Sequence, residues 1–150
     1  MVKIQTFSDN KKIYSVDMIF AYINIFKPKY VKVNVQNYLS TLEYNGWGNP
    51  KIKEFFSAKN VIDNPKKYKE DYKRIMNSNL KFPIVIANNY IVDGVHRLTK
   101  AYLQKKKEIK AYIFDGELLE KFLIDKNKNW DKVKFNTYDY IELFFKRFCK

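Results

Sequence analysis

Five consecutive residues, Asp93-Gly94-Val95-His96-Arg97, gather acid, base and anion-gripping groups into one short stretch. They follow the apolar run Tyr90-Ile91-Val92 and lead into Leu98, Ala101 and Tyr102, apolar at helical spacing. His96 is the only histidine of the chain, and Gly94 is one of four glycines. A glycine where a strand hands over to a helix lets the backbone turn tightly, or approach a ligand with no Cβ in the way. The first-turn N–H groups, Val95 to Arg97, have no acceptor within the helix, and the helix dipole makes that end attractive to anions. Arg97 can grip a phosphate through two parallel hydrogen bonds. His96 can donate to a phosphoryl oxygen, or serve as acid or base near neutral pH. Asp93 is placed to cap the helix, to hold a metal-bound water or to accept a hydroxyl proton. The plain alternative is an ordinary turn, in which Asp93 caps, His96 is half-buried and Arg97 makes a surface pair.

The elements that position this stretch follow from the pattern on either side. Phe82 to Ile86 reads as a strand with Pro83 at its start, where no ladder donor is lost. Ala87-Asn88-Asn89 reads as the turn of a hairpin, and Tyr90 to Val92 as its second strand. A helix over 95–105 ends in a lysine run, and Ile109 to Phe114 is a further strand. Upstream, the apolar stretch 13–26 predicts a helix with Val16, Ile19, Phe20, Ile23 and Phe26 on one face. Ser15 is its expected cap, Asp17 lies in its first turn and Pro28 lies just past its end. Residues 30–35 alternate as a strand, and 35–44 read as a short helix. A turn-rich loop follows, Asn45-Gly46-Trp47-Gly48-Asn49-Pro50, which can line a pocket or bury its tryptophan at a corner. Residues 52–58 are expected as a short helix. Another is expected after Pro65, with Tyr68, Tyr72, Ile75 and Met76 on one face. Glu117 to Ile124 reads as helical. The tail from Tyr138 is amphipathic, with Ile141, Phe144, Phe145 and Phe148 together, and is expected to dock on the core rather than form a partner interface.

Composition narrows the classes. The 150 residues are 46% hydrophobic and 17% aromatic, too apolar for a disordered chain and suited to one domain. Lys and Arg number 29 against 16 Asp and Glu, a formal +13. That field attracts nucleic acid, nucleotides, phosphorylated molecules or anionic membrane without choosing among them, and it also suits a merely solvated surface. Lysine dominates over arginine, which favours generic attraction over base readout. With one Cys and one His, a Cys/His zinc site is excluded, and no metal ligand set is assigned. The single Cys149 fits a reducing compartment. The N-terminal residues lack the pattern of a signal peptide, and no apolar run is long enough to span a bilayer. A soluble, cytoplasmic protein without a membrane partner is expected.

The stretch 82–114, FPIVIANNYIVDGVHRLTKAYLQKKKEIKAYIF, resembles the ParB/sulfiredoxin superfamily in its order of strand, turn, strand, Asp-Gly-x-His-Arg, helix and Lys-flanked strand. Free-serine kinases and the DGQHR-type proteins of DNA-modification systems carry Asp-Gly-x-His-Arg, as here. The resemblance covers about a fifth of the chain. It implies an α+β fold: a single small mixed-sheet domain over 1–150 with its motif core at 82–114, flanking helices and the amphipathic C-terminal helix. It also implies nucleotide binding, ATP or CTP, with Gly94, Val95, His96 and Arg97 at the phosphates and Asp93 beside them. Phosphoryl transfer or nucleotide hydrolysis would then use Asp93, His96 and a carboxylate base from a separate segment. Glu43, just before the Asn45-Gly46-Trp47 loop, is the first candidate for that base, and Asp17 the second. Mg²⁺ would bridge the phosphates with few protein ligands, as in a hydrolase or a small-molecule kinase. Position 95 is Val where sulfiredoxins have their reactive Cys, so sulfinic-acid reduction is disfavoured. The Arg-Arg of ParB proteins and a C-terminal helix-turn-helix are both absent, so centromere partition is disfavoured too. Two other classes stay open. One is a basic protein that binds DNA or RNA, or a ParB-like nuclease, in which tyrosines and tryptophan stack on bases. The other is a non-catalytic adaptor that assembles through the C-terminal helix. The oligomeric state is left open.

Overall fold

The computed structural model describes residues 5–49, 51–125 and 137–149, with only the backbone described over 137–140. Pro50 of the turn-rich loop and the first four residues of the chain lie outside them. The fold is α+β, with small sheets, several helices and a C-terminal helix. The elements run in order: β1 (Thr6–Asp9), β2 (Lys12–Ser15), α1 (Val16–Phe26), β3 (Val31–Asn34) and a 3-10 helix (Val35–Glu43). Next come β4 (Trp47–Asn49), β5 (Glu54–Phe56), α2 (Ala58–Asp63), α3 (Lys69–Asn77), β6 (Ile84–Ala87) and β7 (Tyr90–Asp93). Then follow α4 (Val95–Leu103), β8 (Glu108–Phe114), α5 (Gly116–Glu120), β9 (Leu123–Asp125) and α6 (Thr137–Phe148). The chain divides into two compact units. One comprises residues 1–28 with 114–150, the other residues 29–113.

The first unit is built on the antiparallel sheet β1-β2-β9. Ser15 caps α1 as expected: its Oγ accepts from the Met18 N–H at 3.1 Å. Lys27 ends the helix in the left-handed region at φ 45, with its N–H on the Ile23 carbonyl. Ile13 and Tyr14, which precede the Ser15 cap in the same apolar stretch, form β2, and both are buried. One expectation changes here. Leu123 and Ile124 leave the helix predicted over 117–124 and form β9, where Leu123 pairs with Tyr14. Short apolar runs fit a buried strand as well as a helix, and the pairing partner decides. Helix α6 docks within this unit. Phe148 meets Tyr22 at 5.3 Å and Phe122 at 5.1 Å between ring centroids. Arg147 Nη1 donates to the carbonyls of Lys121 and Leu123 at 2.8 and 2.6 Å. Phe144 is buried, while Ile141 and Phe145 stay exposed.

The second unit carries the four-stranded sheet β3-β8-β6-β7 and the two-stranded sheet β4-β5. All four residues of β6, Ile84-Val85-Ile86-Ala87, are buried, as expected of an inner strand. Asn88 and Asn89 both have positive φ, 48 and 67, the two-residue turn whose twist matches a hairpin. Ile84, Ile86, Ile109 and Ala111 of the sheet pack with Leu98 and Ala101 of α4, and Val35 and Leu42 of the 3-10 helix join that core. Burying a side chain such as Leu98 fully stabilises the fold by about 1.5–3 kcal/mol. Lys100 Nζ donates to the Ser78 carbonyl at 2.7 Å, tying α4 to the end of α3. The helix expected over 52–58 is instead β5 followed by α2, which Ser57 and Asn60 cap reciprocally. Consecutive aromatics favour a pleated strand, with Phe56 facing inward opposite Trp47 and Phe55 outward. Part of the turn-rich loop is accordingly β4.

Candidate functional site

The junction between β7 and α4 begins with an irregularity in the hairpin. Ile86 pairs with Ile91, but Val85 pairs with Asp93, so Val92 is an extra residue on β7. Such a bulge changes the aim of the side chains that follow it. Asp93 is the residue so re-aimed. Gly94 comes next, at φ 103 and ψ 23, and serves as the N-cap of α4. A Cβ at this position would lie 2.6 Å from Ile84 Cγ2 and 2.9 Å from Arg97 Nη2. The position therefore demands glycine twice over, for its φ and for the space.

The structure changes the expected role of Asp93. No side chain caps α4. With Gly94 as the cap, Asp93 stands one residue too early to reach the amides and extends over the first turn. Its Oδ2 accepts from Arg97 Nη2 at 2.8 Å. The pair is protected on one side only: Arg97 is 17% exposed and Asp93 43%. The first intrahelical bond runs from the Leu98 N–H to the Gly94 carbonyl. The amides of Val95, His96 and Arg97 precede it and are the donors that such a start offers to an anion. Val95 also packs its side chain against the core, which fixes the angle at which the helix leaves the sheet.

His96 is held by a partner that the sequence did not link to it. The indole of Trp47 stacks on the imidazole, with centroids 4.5 Å apart and planes 15° from parallel. Strand pairing of β4 with β5 sets Trp47 opposite Phe56, whose ring meets it edge-on. Burial lowers the His96 pKa below its usual value; Asp71 pulls it back up, while Arg74 and Arg97 depress it further. The imidazole is thus neutral at pH 7. Its Nε2 is buried and has no hydrogen-bond partner among the described residues. A neutral imidazole offers one donor and one acceptor, not a positive charge.

Two candidates remain, Glu43 and Asp17. Glu43 ends the 3-10 helix, is largely exposed and faces Lys59 at 3.8 Å. No hydrogen bond or ion pair joins it to Asp93, His96 or Arg97 among the described residues. The 3-10 helix itself packs against β7 and α4, so Glu43 belongs to a neighbouring element. Asp17 lies in the first unit, where its Oδ2 accepts from the Gln5 amide at 2.9 Å. The structure thus brings together Asp93, Gly94 and Arg97, and sets His96 against Trp47. Sequence reasoning missed the Trp47 stack and the influence of Asp71 and Arg74. The turn-rich loop flagged Trp47, but nothing in it identified the imidazole as its neighbour. Among the described residues no three His, Cys, Asp or Glu converge on a metal-sized site, and no helix is long and apolar enough to cross a membrane. Compared with known proteins, the chain matches no family model, no curated protein and no solved structure.

Proposed function

We propose that the start of α4 binds the phosphates of a nucleotide, ATP or CTP, and that the site supports phosphoryl transfer or nucleotide hydrolysis. The observation that carries this reading is a helix start with no side-chain cap, shaped by a glycine that no other residue can replace and flanked by a guanidinium. The amides of Val95, His96 and Arg97 supply the cradle. Arg97 has five donors, and the Asp93 contact occupies only one of its nitrogens. Asp93 stands beside the phosphates as the carboxylate closest to the chemistry. Neutral His96, stacked on Trp47, contributes one hydrogen bond through its unpartnered Nε2. Glu43 remains the proposed base from a separate segment.

The order β6, turn, β7, Gly94, α4, β8 is the one the ParB/sulfiredoxin resemblance calls for, and it supports the reading. One protein carboxylate fits Mg²⁺, which binds through one or two carboxylates together with substrate phosphates and there neutralises their charge. The exposed, unpaired Cys149 fits a reducing, cytoplasmic setting. Isothermal titration with ATP, CTP and ADP, with and without Mg²⁺, tests the proposal. Arg97→Ala should weaken binding by about tenfold or more, the worth of a charged hydrogen bond. Asp93→Asn should keep nucleotide binding and lose turnover. Absence of heat at millimolar nucleotide with Mg²⁺ refutes the reading.

A further inference from the structure

The second unit holds most of the chain's charge. Residues 29–113 contain 17 Lys and Arg against 7 Asp and Glu, a formal +10 of the total +13. Within this unit a cleft of about 780 Å³ opens between β5 and the segment that joins α2 to α3. Lys53 lines it from one side, and Lys66, Lys67 and Lys69 from the other. Its aromatic wall is Phe56 stacked on Tyr68, with centroids 4.5 Å apart and planes 30° from parallel. Phe55 lines the same cleft with 55% of its surface exposed. The Lys67 ammonium lies 5.3 Å from the centre of the Tyr68 ring.

We infer that this cleft binds single-stranded nucleic acid, and the inference is independent of the nucleotide reading at α4. Three features point to a single strand. The exposed Phe55 ring, beside a Phe56–Tyr68 stack that a further ring can extend, offers an aromatic face to an unpaired base, whereas a duplex keeps its bases stacked on one another. The cations are all lysines, flexible point charges that follow a phosphate backbone without reading sequence. They stand on both sides of the aromatic wall, so successive phosphates can be met while the base between them stacks. Glu54, Glu70 and Asp71 also line the cleft. Arg74 faces Asp71 at 3.9 Å. Carboxylates at such a wall suit the exocyclic amino groups of adenine and cytosine. A polyanion without bases would gain nothing from the aromatic wall and would meet these carboxylates unfavourably.

Fluorescence anisotropy with labelled oligo(dA) and oligo(rA) of about ten nucleotides tests the inference. Inorganic polyphosphate and a duplex of the same length serve as competitors. Binding to either strand is expected, and comparison of the two shows which sugar is preferred. Phe55→Ala and Tyr68→Ala should each weaken it by about tenfold and leave polyphosphate binding as it was. Phe55 is exposed on its strand, so its removal leaves the core intact, and circular dichroism checks both variants. Lys66→Ala and Lys67→Ala should each lower the salt slope of log K by about 0.7. Arg97→Ala should weaken ATP binding alone, and Tyr68→Ala should weaken oligonucleotide binding alone. The inference is overturned by no binding at low salt, by equal affinity for the duplex, or by affinity unchanged in both aromatic variants. Loss of oligonucleotide binding in Arg97→Ala would also overturn it, because the strand would then sit at α4.

Discussion

Gly94→Ala puts the geometry of the β7–α4 junction to a direct test. The backbone at φ 103 lies where an L side chain is strained, at a cost of about 1–2 kcal/mol. The added methyl group would also meet Ile84 Cγ2 at 2.6 Å. Ile84 is fully buried in β6, so it must give way within the core. Overpacking of this kind costs about 1–3 kcal/mol. Together the two effects should destabilise the second unit by about 2–5 kcal/mol, roughly 5–15 °C in Tm for a chain of this size. Gly116 supplies the control. It too has positive φ, 53, but a Cβ there meets nothing within 4 Å. Gly116→Ala should therefore cost only the strain, about 1 kcal/mol. Urea denaturation of both variants, followed by circular dichroism, measures the difference. Equal losses would refute the packing argument at Gly94, and a loss below about 1 kcal/mol there would refute the strain as well.

Two further outcomes are expected. Burial holds His96 neutral in the folded chain, with its pKa below the ordinary 6.5, so the unfolded chain takes up a proton first as the pH falls. The stability due to neutral His96 is therefore complete above about pH 6.5. It declines as the pH falls through 6.5 toward the folded pKa. Urea midpoints at pH 7.5 and 5.5 should show a larger drop for the wild type than for His96→Gln, and parallel drops would contradict the burial argument. In α6, Phe144 is 5% exposed and Phe145 57%. Phe144→Ala should cost about 3–5 kcal/mol and Phe145→Ala about 0.5 kcal/mol or less; similar losses in thermal melts would mean that α6 does not dock through Phe144.

Signals that act within a few residues were legible in the sequence. Ser15 before Val16, Pro28 after the helix end, Asn88-Asn89 between two apolar runs and Gly94 at a strand–helix boundary each state a local backbone requirement, and each is met. The three-residue strands β4, β5 and β9 were not legible, because so short a run has no period of its own and exists through its partner. The site divides along the same line. Asp93 and Arg97, four apart across the strand–helix junction, form a local pair. Trp47 and His96 lie far apart in the chain and meet only because β4 pairs with β5 and the 3-10 helix packs on α4. The misplaced cap has a different origin: α4 starts at Val95 as expected, but the cap falls one residue later than Asp93, on the left-handed Gly94 that follows the bulge at Val92, and Asp93 forms an ion pair instead of capping.

That shift bears on how an anion would be held at α4. Asp93 offsets much of the charge of Arg97, so a bare phosphate meets a weaker field than the five letters of the motif imply. The uncharged amides then carry most of the grip, and a second anion must settle next to a carboxylate that is 43% exposed. Asp93 would be the residue to hold a divalent cation there, and the cation would supply positive charge against that repulsion. On the proposed reading, Mg²⁺ dependence follows from Asp93 alone and needs no carboxylate cluster. The lysine cleft obeys a different control. On the inferred reading its lysines would meet the strand's phosphates, and counterion release would make ionic strength, not a divalent cation, the governing variable. Magnesium at constant ionic strength should therefore strengthen nucleotide binding without strengthening oligonucleotide binding, and salt should do most of its damage to the second.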